Sequence, residues 1–261
     1  MNAAPLRQKA SQRAAALLGA ALLAVSAPAL AQQAERPFAA GEALPYAVKL
    51  GSLGGDGTGH LRVEEAAPLR GEPVVLLRFD FETRVGPFKV KHHSRSWLST
   101  TRMASLRYEV DEQAPVGEKH DQVELFPETR RWEGRRGQGI SPSAEPLDEL
   151  SFLYALRTLP LAPGHIYRLE RHYDAKRNPV KVRVLRREPL SVPAGTFDTI
   201  LVEMEVSDPD RYGGQGVLRL HLTDDARRLP VRIESKVPMA GELVLQLLPV
   251  AVKPTKPEAT P

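Results

Sequence analysis

Apolar and polar residues alternate with a period of two through most of this chain, and that pattern restricts it to strands with one face in a core and one in water. Tyr46, Val48 and Leu50 alternate around Lys49, and Leu61 and Val63 alternate with Arg62 and Glu64. Val75, Leu77, Phe79 and Phe81 oppose Arg78, Asp80 and Glu82, Phe88 to Trp97 reads as a strand beyond the Gly86-Pro87 turn, and Leu106, Tyr108 and Val110 mark a fifth. Between the first two strands, the Gly54 to Gly59 stretch has hairpin-turn chemistry, with Asp56-Gly57 tolerating positive φ. Val123 to Phe126 and Arg130 to Gly134 form a hairpin around Pro127, and Arg135 to Glu145, rich in glycine, proline and serine, reads as loop. Six further strands follow: Ile166 to Tyr173, Val180 to Arg186, Thr199 to Val206, Gly216 to Leu222, Val231 to Val237 and Glu242 to Leu248. On these, Glu203 and Glu205 share one face with Arg219, His221, Arg232, Glu234 and Lys236 on neighbouring strands, so opposite charges are expected to meet across the solvent surface.

One segment breaks the alternation. Leu147, Leu150, Leu153, Tyr154, Leu156 and Arg157 follow helical spacing behind Pro146 and the acidic pair Asp148 and Glu149, whose charges suit a helix N-terminus. A helix of about three turns over 147–159 is predicted, laying its leucine face on an open side of the sheet. Strands at intervals of about ten residues with one helix give a mainly β fold, a large antiparallel sheet curled into a strongly bent sheet or incomplete barrel that the helix plugs or flanks. A two-sheet sandwich is the alternative.

The N-terminus reads as a secretory signal peptide over 1–31. Arg7, Lys9 and Arg13 form a basic region, Ala14 to Val25 is apolar, and Ala29-Leu30-Ala31 supplies a small-x-small cleavage signature before Gln32. Export to a periplasm follows as an expectation, with 32–252 as one β domain and 253–261 as a disordered proline-rich tail. The formal charge of +4 loses three basic residues with the signal and falls to +1, which removes the reason to expect a nucleic-acid partner. With no cysteine, the chain has neither disulfides nor a thiolate nucleophile. Beyond the signal no hydrophobic run is long enough to serve as a transmembrane anchor.

Four stretches together resemble a known family: Asp148-Glu149-Leu150-Ser151-Phe152-Leu153-Tyr154-Ala155-Leu156-Arg157, the Leu161-Ala162-Pro163-Gly164 turn, Val192 to Thr199, and Leu222 to Val231. With the opening Phe38 to Tyr46 block, their order is similar to the bacterial exported family of domain of unknown function 3108. The resemblance covers nearly the whole chain after the signal. It implies a largely β envelope protein and carries over no catalytic residue.

The chemistry-bearing constellations are sparse. His92 and His93 are strand neighbours and point to opposite faces, so they do not share an ion, and the seven histidines form no metal-binding spacing. Neither a metal nor another cofactor is expected. Asp80 and Glu82 share a strand face about 7 Å apart, near the separation of an acid and base pair in glycoside hydrolysis, yet the same spacing describes any polar strand face. A curled sheet whose helix leaves the interior unfilled would enclose a pocket for an acyl chain, and the aromatics Tyr46, Phe79, Phe81, Trp97, Trp132 and Tyr154 are its candidate lining. Noncatalytic binding of a lipid-like small molecule or of an envelope protein is therefore the expected function. A glycan or lipid hydrolase using the surface carboxylates, and an edge-strand scaffold, are the competitors.

Overall fold

A computed structural model describes residues 36–51, 56–114, 117–208, 214–237 and 241–249. The signal segment with its Ala31/Gln32 cleavage point, the tail and the tip of the first glycine loop lie outside the described residues. The strands are β1 (Ala43–Leu50), β2 (Asp56–Glu65), β3 (Val74–Val85), β4 (Phe88–Ser99), β5 (Ser105–Ala114), β6 (Gly117–Phe126), β7 (Arg131–Gly134), β8 (Gly137–Ile140), β9 (Ile166–Leu169), β10 (Val180–Val192), β11 (Gly195–Asp208), β12 (Gly214–Thr223), β13 (Pro230–Val237) and β14 (Gly241–Leu247). Among the described residues one α-helix, α1 (Glu149–Arg157), lies between β8 and β9 in the sequence, and a single 3-10 turn covers Ala175–Arg177.

All fourteen described strands form one antiparallel sheet in the order β8-β7-β6-β5-β4-β3-β2-β1-β14-β13-β12-β11-β10-β9. It is a meander interrupted once, where the first strand pairs with the last, Tyr46 opposite Leu247. The sandwich alternative therefore falls, because continuous pairing through β1 and β14 joins what would have been two sheets. The alternation sets the burial: Leu44, Tyr46, Val48 and Leu50 of β1 all turn inward and are buried. Inward residues from distant strands, such as Leu77 of β3 and Ile200 of β11, belong to one apolar core, which requires a sheet bent back on itself. Bulges at Trp97/Leu98, Val184/Arg186 and His221/Leu222 help it bend.

Among the described residues the barrel does not close by strand pairing, since β8 and β9, of four residues each, are the edges of the sheet. The chain between β8 and α1 bridges the gap. Ser105 N donates to Pro146 O (2.8 Å), Leu147 N to Arg171 O (2.6 Å) and Tyr173 N to Leu147 O (3.0 Å), while Trp132 meets Tyr173 edge-on at 5.3 Å.

Four local readings change. The strand read over Ile166 to Tyr173 stops at Leu169, the end of β9. The Arg135 to Glu145 stretch holds β8, hidden in the sequence because Gly137-Gln138-Gly139-Ile140 carries no alternating pattern; a Cβ on Gly139 would stand 2.8 Å from the Trp132 indole nitrogen, so glycine is needed for the ring to lie over the strand. Glycines 57 and 59 belong to β2 and not to a turn, and a Cβ on Gly57 would meet Thr83 Cβ at 2.6 Å. The helix starts and stops two residues inside its predicted bounds. It does not lay one leucine face on a sheet either: every residue from Leu150 to Arg157 is buried.

The helix crosses the barrel because opposite walls hold its two ends. At the N-terminus Asp148 is the cap, its Oδ1 accepting from Leu150 N (2.9 Å) and Ser151 N (2.8 Å), and Ser151 Oγ accepts from Asp148 N in return. Its Oδ2 accepts from Ser96 Oγ of β4 (2.6 Å) and from Ser105 Oγ of β5. At the C-terminus Arg157 binds Glu42, just before β1, and Arg227 O, in the turn between β12 and β13. Thus α1 forms a floor at one end of the barrel.

Candidate functional site

Above that floor the inward side chains do not meet. A half-open cavity of about 520 Å³ remains, within the usual range for small-molecule pockets. Its apolar wall draws on both halves of the sheet, with Phe79 and Phe81 of β3, Val110 of β5, Met204 of β11, Leu218 of β12, Ile233 of β13 and Leu245 of β14, above Leu150, Phe152 and Leu153 of the helix. The lining runs up to Leu50, Val90, Ala114 and Leu243, all next to hairpins at the barrel end opposite the floor.

Two polar clusters interrupt this wall. Near the hairpin end, His92 stacks on Phe81 (centroids 5.3 Å apart, 9° between planes), and its Nδ1 lies 3.2 Å from Glu112 Oε1. Beside the helix N-terminus, Glu149, His172 and Arg177 meet, with Arg177 Nη1 donating to Glu149 Oε1 and His172 Nε2 3.8 Å from that oxygen. Glu149 keeps 39% of its side chain accessible while lining the cavity. Burial resists its ionisation, but the adjoining His172 N–H and Arg177 guanidinium prevail and hold its carboxyl well below the usual carboxylate range. Asp148, one residue earlier, goes the other way: burial outweighs its serine and backbone donors and lifts it from 3.8 to about 6.

Among the six aromatic candidates, Phe79 and Phe81 line the cavity. Tyr46 is fully buried in the closed core, its hydroxyl donating to Pro230 O at 2.7 Å. Tyr154 lies on the helix with its ring edge-on to Phe38 at 4.9 Å, and Trp132 covers Gly139 and Tyr173 in the bridged gap. Trp97 alternates with buried Ser96 and Leu98 and stacks under Arg107 at 5.3 Å on the outer face. These four do not line the cavity, because pointing inward is not enough: Tyr46 and Tyr154 are covered by packed neighbours, and the other two sit outside it.

The carboxylate candidates lie on the outer surface. Asp80 is engaged by His93 (2.8 Å), Arg62 (3.3 Å) and Arg78 (3.8 Å), and Glu82 by Lys89 (3.7 Å) and Lys91 (4.0 Å). Glu203 joins Arg183 (3.2 Å) and Arg219 (2.9 Å) across three strands, as the charged face predicted. His92 and His93 do face opposite ways, and no group of three metal-ligating side chains occurs among the described residues.

The sequence reading missed the polar residues of the cavity. Glu112 was readable, since it continues the inward phase of Leu106, Tyr108 and Val110 as a charged residue where an apolar one is expected. His172 carried no such signal, being placed by the strap that pairs with Leu147 rather than by a strand.

No helix among the described residues is long and apolar enough to cross a membrane. No curated protein matches the chain. A solved structure described as a β-barrel-like protein of domain of unknown function DUF1849, from Brucella abortus, is similar with a TM-score of 0.49 at 9% identity, covering 79% of this chain and 95% of that one. The model of the family described as "Protein of unknown function (DUF3108)" matches residues 46–247, and the chain belongs to that family.

Proposed function

We propose that this chain is a noncatalytic binding protein of the bacterial envelope, exported by its N-terminal signal, whose cavity takes up a lipid-like molecule. The observation that carries this reading is the apolar cavity of about 520 Å³ between the helix floor and the hairpin end. Protein interiors are normally close-packed, so the cavity leaves burial energy unrealised that an apolar guest recovers at about 25 cal/mol per Å² of surface covered. The wall is mainly apolar, with charged groups gathered at the hairpin end (Lys91, Glu112, Lys119) and beside the helix N-terminus (Glu149, Arg177), an apolar surround with polar groups placed to orient a ligand. Export fits the basic, apolar and small-x-small succession ahead of Gln32. The hydrolase alternative gains no support from Asp80 or Glu82, neither of which lines the cavity.

Mass spectrometry of organic extracts from the purified full-length protein tests the reading, alongside a Leu218→Trp variant that fills the cavity. A recurring lipid in stoichiometric amount, absent from the variant, is the expected result. Wild-type and variant extracts of equal content contradict it.

A further inference from the structure

The polar corner beside the helix N-terminus holds a hydrogen-bond donor with no acceptor. Asp174 N donates to His172 Nδ1 at 3.1 Å, so Nδ1 is the ring's acceptor and the neutral ring carries its proton on Nε2. The His172 side chain is only 1% exposed, and Nε2 has no hydrogen-bond partner. Glu149 Oε1 is 3.8 Å away, beyond the roughly 3.2 Å reach of an N–H···O bond. An oxygen placed about 2.8 Å from both atoms would span that gap, accepting from one and donating to the other.

Contacts hold both sides of the gap. Asn178 grips the histidine backbone from both directions, its Oδ1 accepting from His172 N and its Nδ2 donating to His172 O, each at 2.9 Å. The ring lies between Phe152 (centroids 6.3 Å apart, 15° between planes) and Tyr173 (4.6 Å). Glu149 is held by Arg177 and by its position on the first turn of α1. The fold thus fixes a donor and a carboxylate at a separation that one intervening oxygen completes, at the inner end of an apolar cavity.

Resting on the cavity reading above, we propose that this corner is the head-group site, and that it takes the hydroxyl of a lipid-like alcohol, which accepts from His172 Nε2 and donates to Glu149. The chemistry separates this ligand from its neighbours. A fatty acid anion brings a second negative charge against the ionised Glu149. An ether oxygen accepts from His172 but has no proton for the carboxylate. A plain hydrocarbon displaces any bridging water from the corner and leaves the buried donor unpaired, the costly arrangement.

Titration calorimetry of the purified full-length protein at pH 7 with decan-1-ol, its methyl ether and decanoate is the test. The alcohol should bind about tenfold tighter than either of the others, the fold-change expected for one extra well-made hydrogen bond. In Glu149→Gln, which removes the charge and keeps the shape, the gap between alcohol and decanoate should narrow to about threefold or less. Equal affinity for the three wild-type ligands, or a preference for decanoate, overturns the head-group assignment and leaves the cavity reading standing. Discrimination that survives unchanged in Glu149→Gln overturns it as well. Failure of all three ligands to bind removes both readings together.

Discussion

The two ends of the helix are anchored by buried charge, but only one end borders the cavity. At the C-terminus, Arg157 is 1% exposed and its terminal nitrogens donate to Glu42 Oε1 (2.6 Å), Glu42 Oε2 (2.7 Å), Pro37 O (2.7 Å) and Arg227 O (3.0 Å), while its Nε and the nearby Tyr154 hydroxyl have no hydrogen-bond partner. The Phe38 and Tyr154 rings flank the guanidinium at 5.4 and 5.3 Å. At the N-terminus, Asp148 is satisfied by its serines, while the neighbouring His172 keeps a buried donor without a hydrogen-bond partner, 3.8 Å from Glu149, which lines the cavity. A buried polar group left unpaired costs about 1–3 kcal/mol. The packed end fastens the helix to the wall, and the end that borders the cavity is the one a ligand can reach.

Removing the fastening should have the largest effect. Arg157→Met strands Glu42 among buried neighbours and is expected to cost about 3–5 kcal/mol in denaturant unfolding. Adding Glu42→Met should restore part of it, because the loss comes mainly from the uncompensated charge. A cost below about 1 kcal/mol would mean that this end is no firmer than an exposed ion pair.

A pair of truncations compares the ends directly. Leu156 is fully buried in the packed half, whereas Leu153 borders the cavity. Leu156→Ala opens a new void and should cost about 3–4 kcal/mol; Leu153→Ala only enlarges an existing one and should cost about 1–2 kcal/mol. Equal losses would place both leucines in the same packed environment.

The cap gives a smaller, pH-dependent effect. Asp148 is raised in the folded state from 3.8 to about 6, so between those values the folded chain binds more protons than the unfolded one. The stability it confers is complete below about pH 4 and is lost as pH rises through about 6. Asp148→Asn keeps a capping oxygen and a neutral side chain. Relative to wild type it should gain about 1–2 kcal/mol at pH 8 and nothing at pH 4, by urea unfolding at both values. A constant difference across that range contradicts the assignment. The smallest change belongs to the outer face: Asp80→Asn should cost less than about 1 kcal/mol and leave ligand affinity untouched.

The sequence made the packed parts of this contrast legible and hid the open ones. Strands such as β1 and β3 announce themselves because burial on one face forces alternation, and the charged face of β10 to β13 follows from the same rule. The helix was visible in Leu150, Leu153 and Leu156, but its role as a floor was not, since that depends on Ser96 and Ser105 meeting Asp148 from one wall and Glu42 meeting Arg157 from another. The cavity depends on which inward side chains fall short of one another across the barrel, a distance that no local pattern encodes. His172 was hidden for a related reason: its unmet proton is fixed by the backbone of Asp174, two residues on.

Methyl chemical shifts of isotope-labelled protein titrated with decan-1-ol test the central contrast most directly. Saturable shifts at Leu150, Leu153, Val110 and Ile233, with Leu156 and Leu44 at the packed end unmoved, are the predicted result. Shifts absent from the cavity methyls, or spread equally over both ends of the helix, would contradict it.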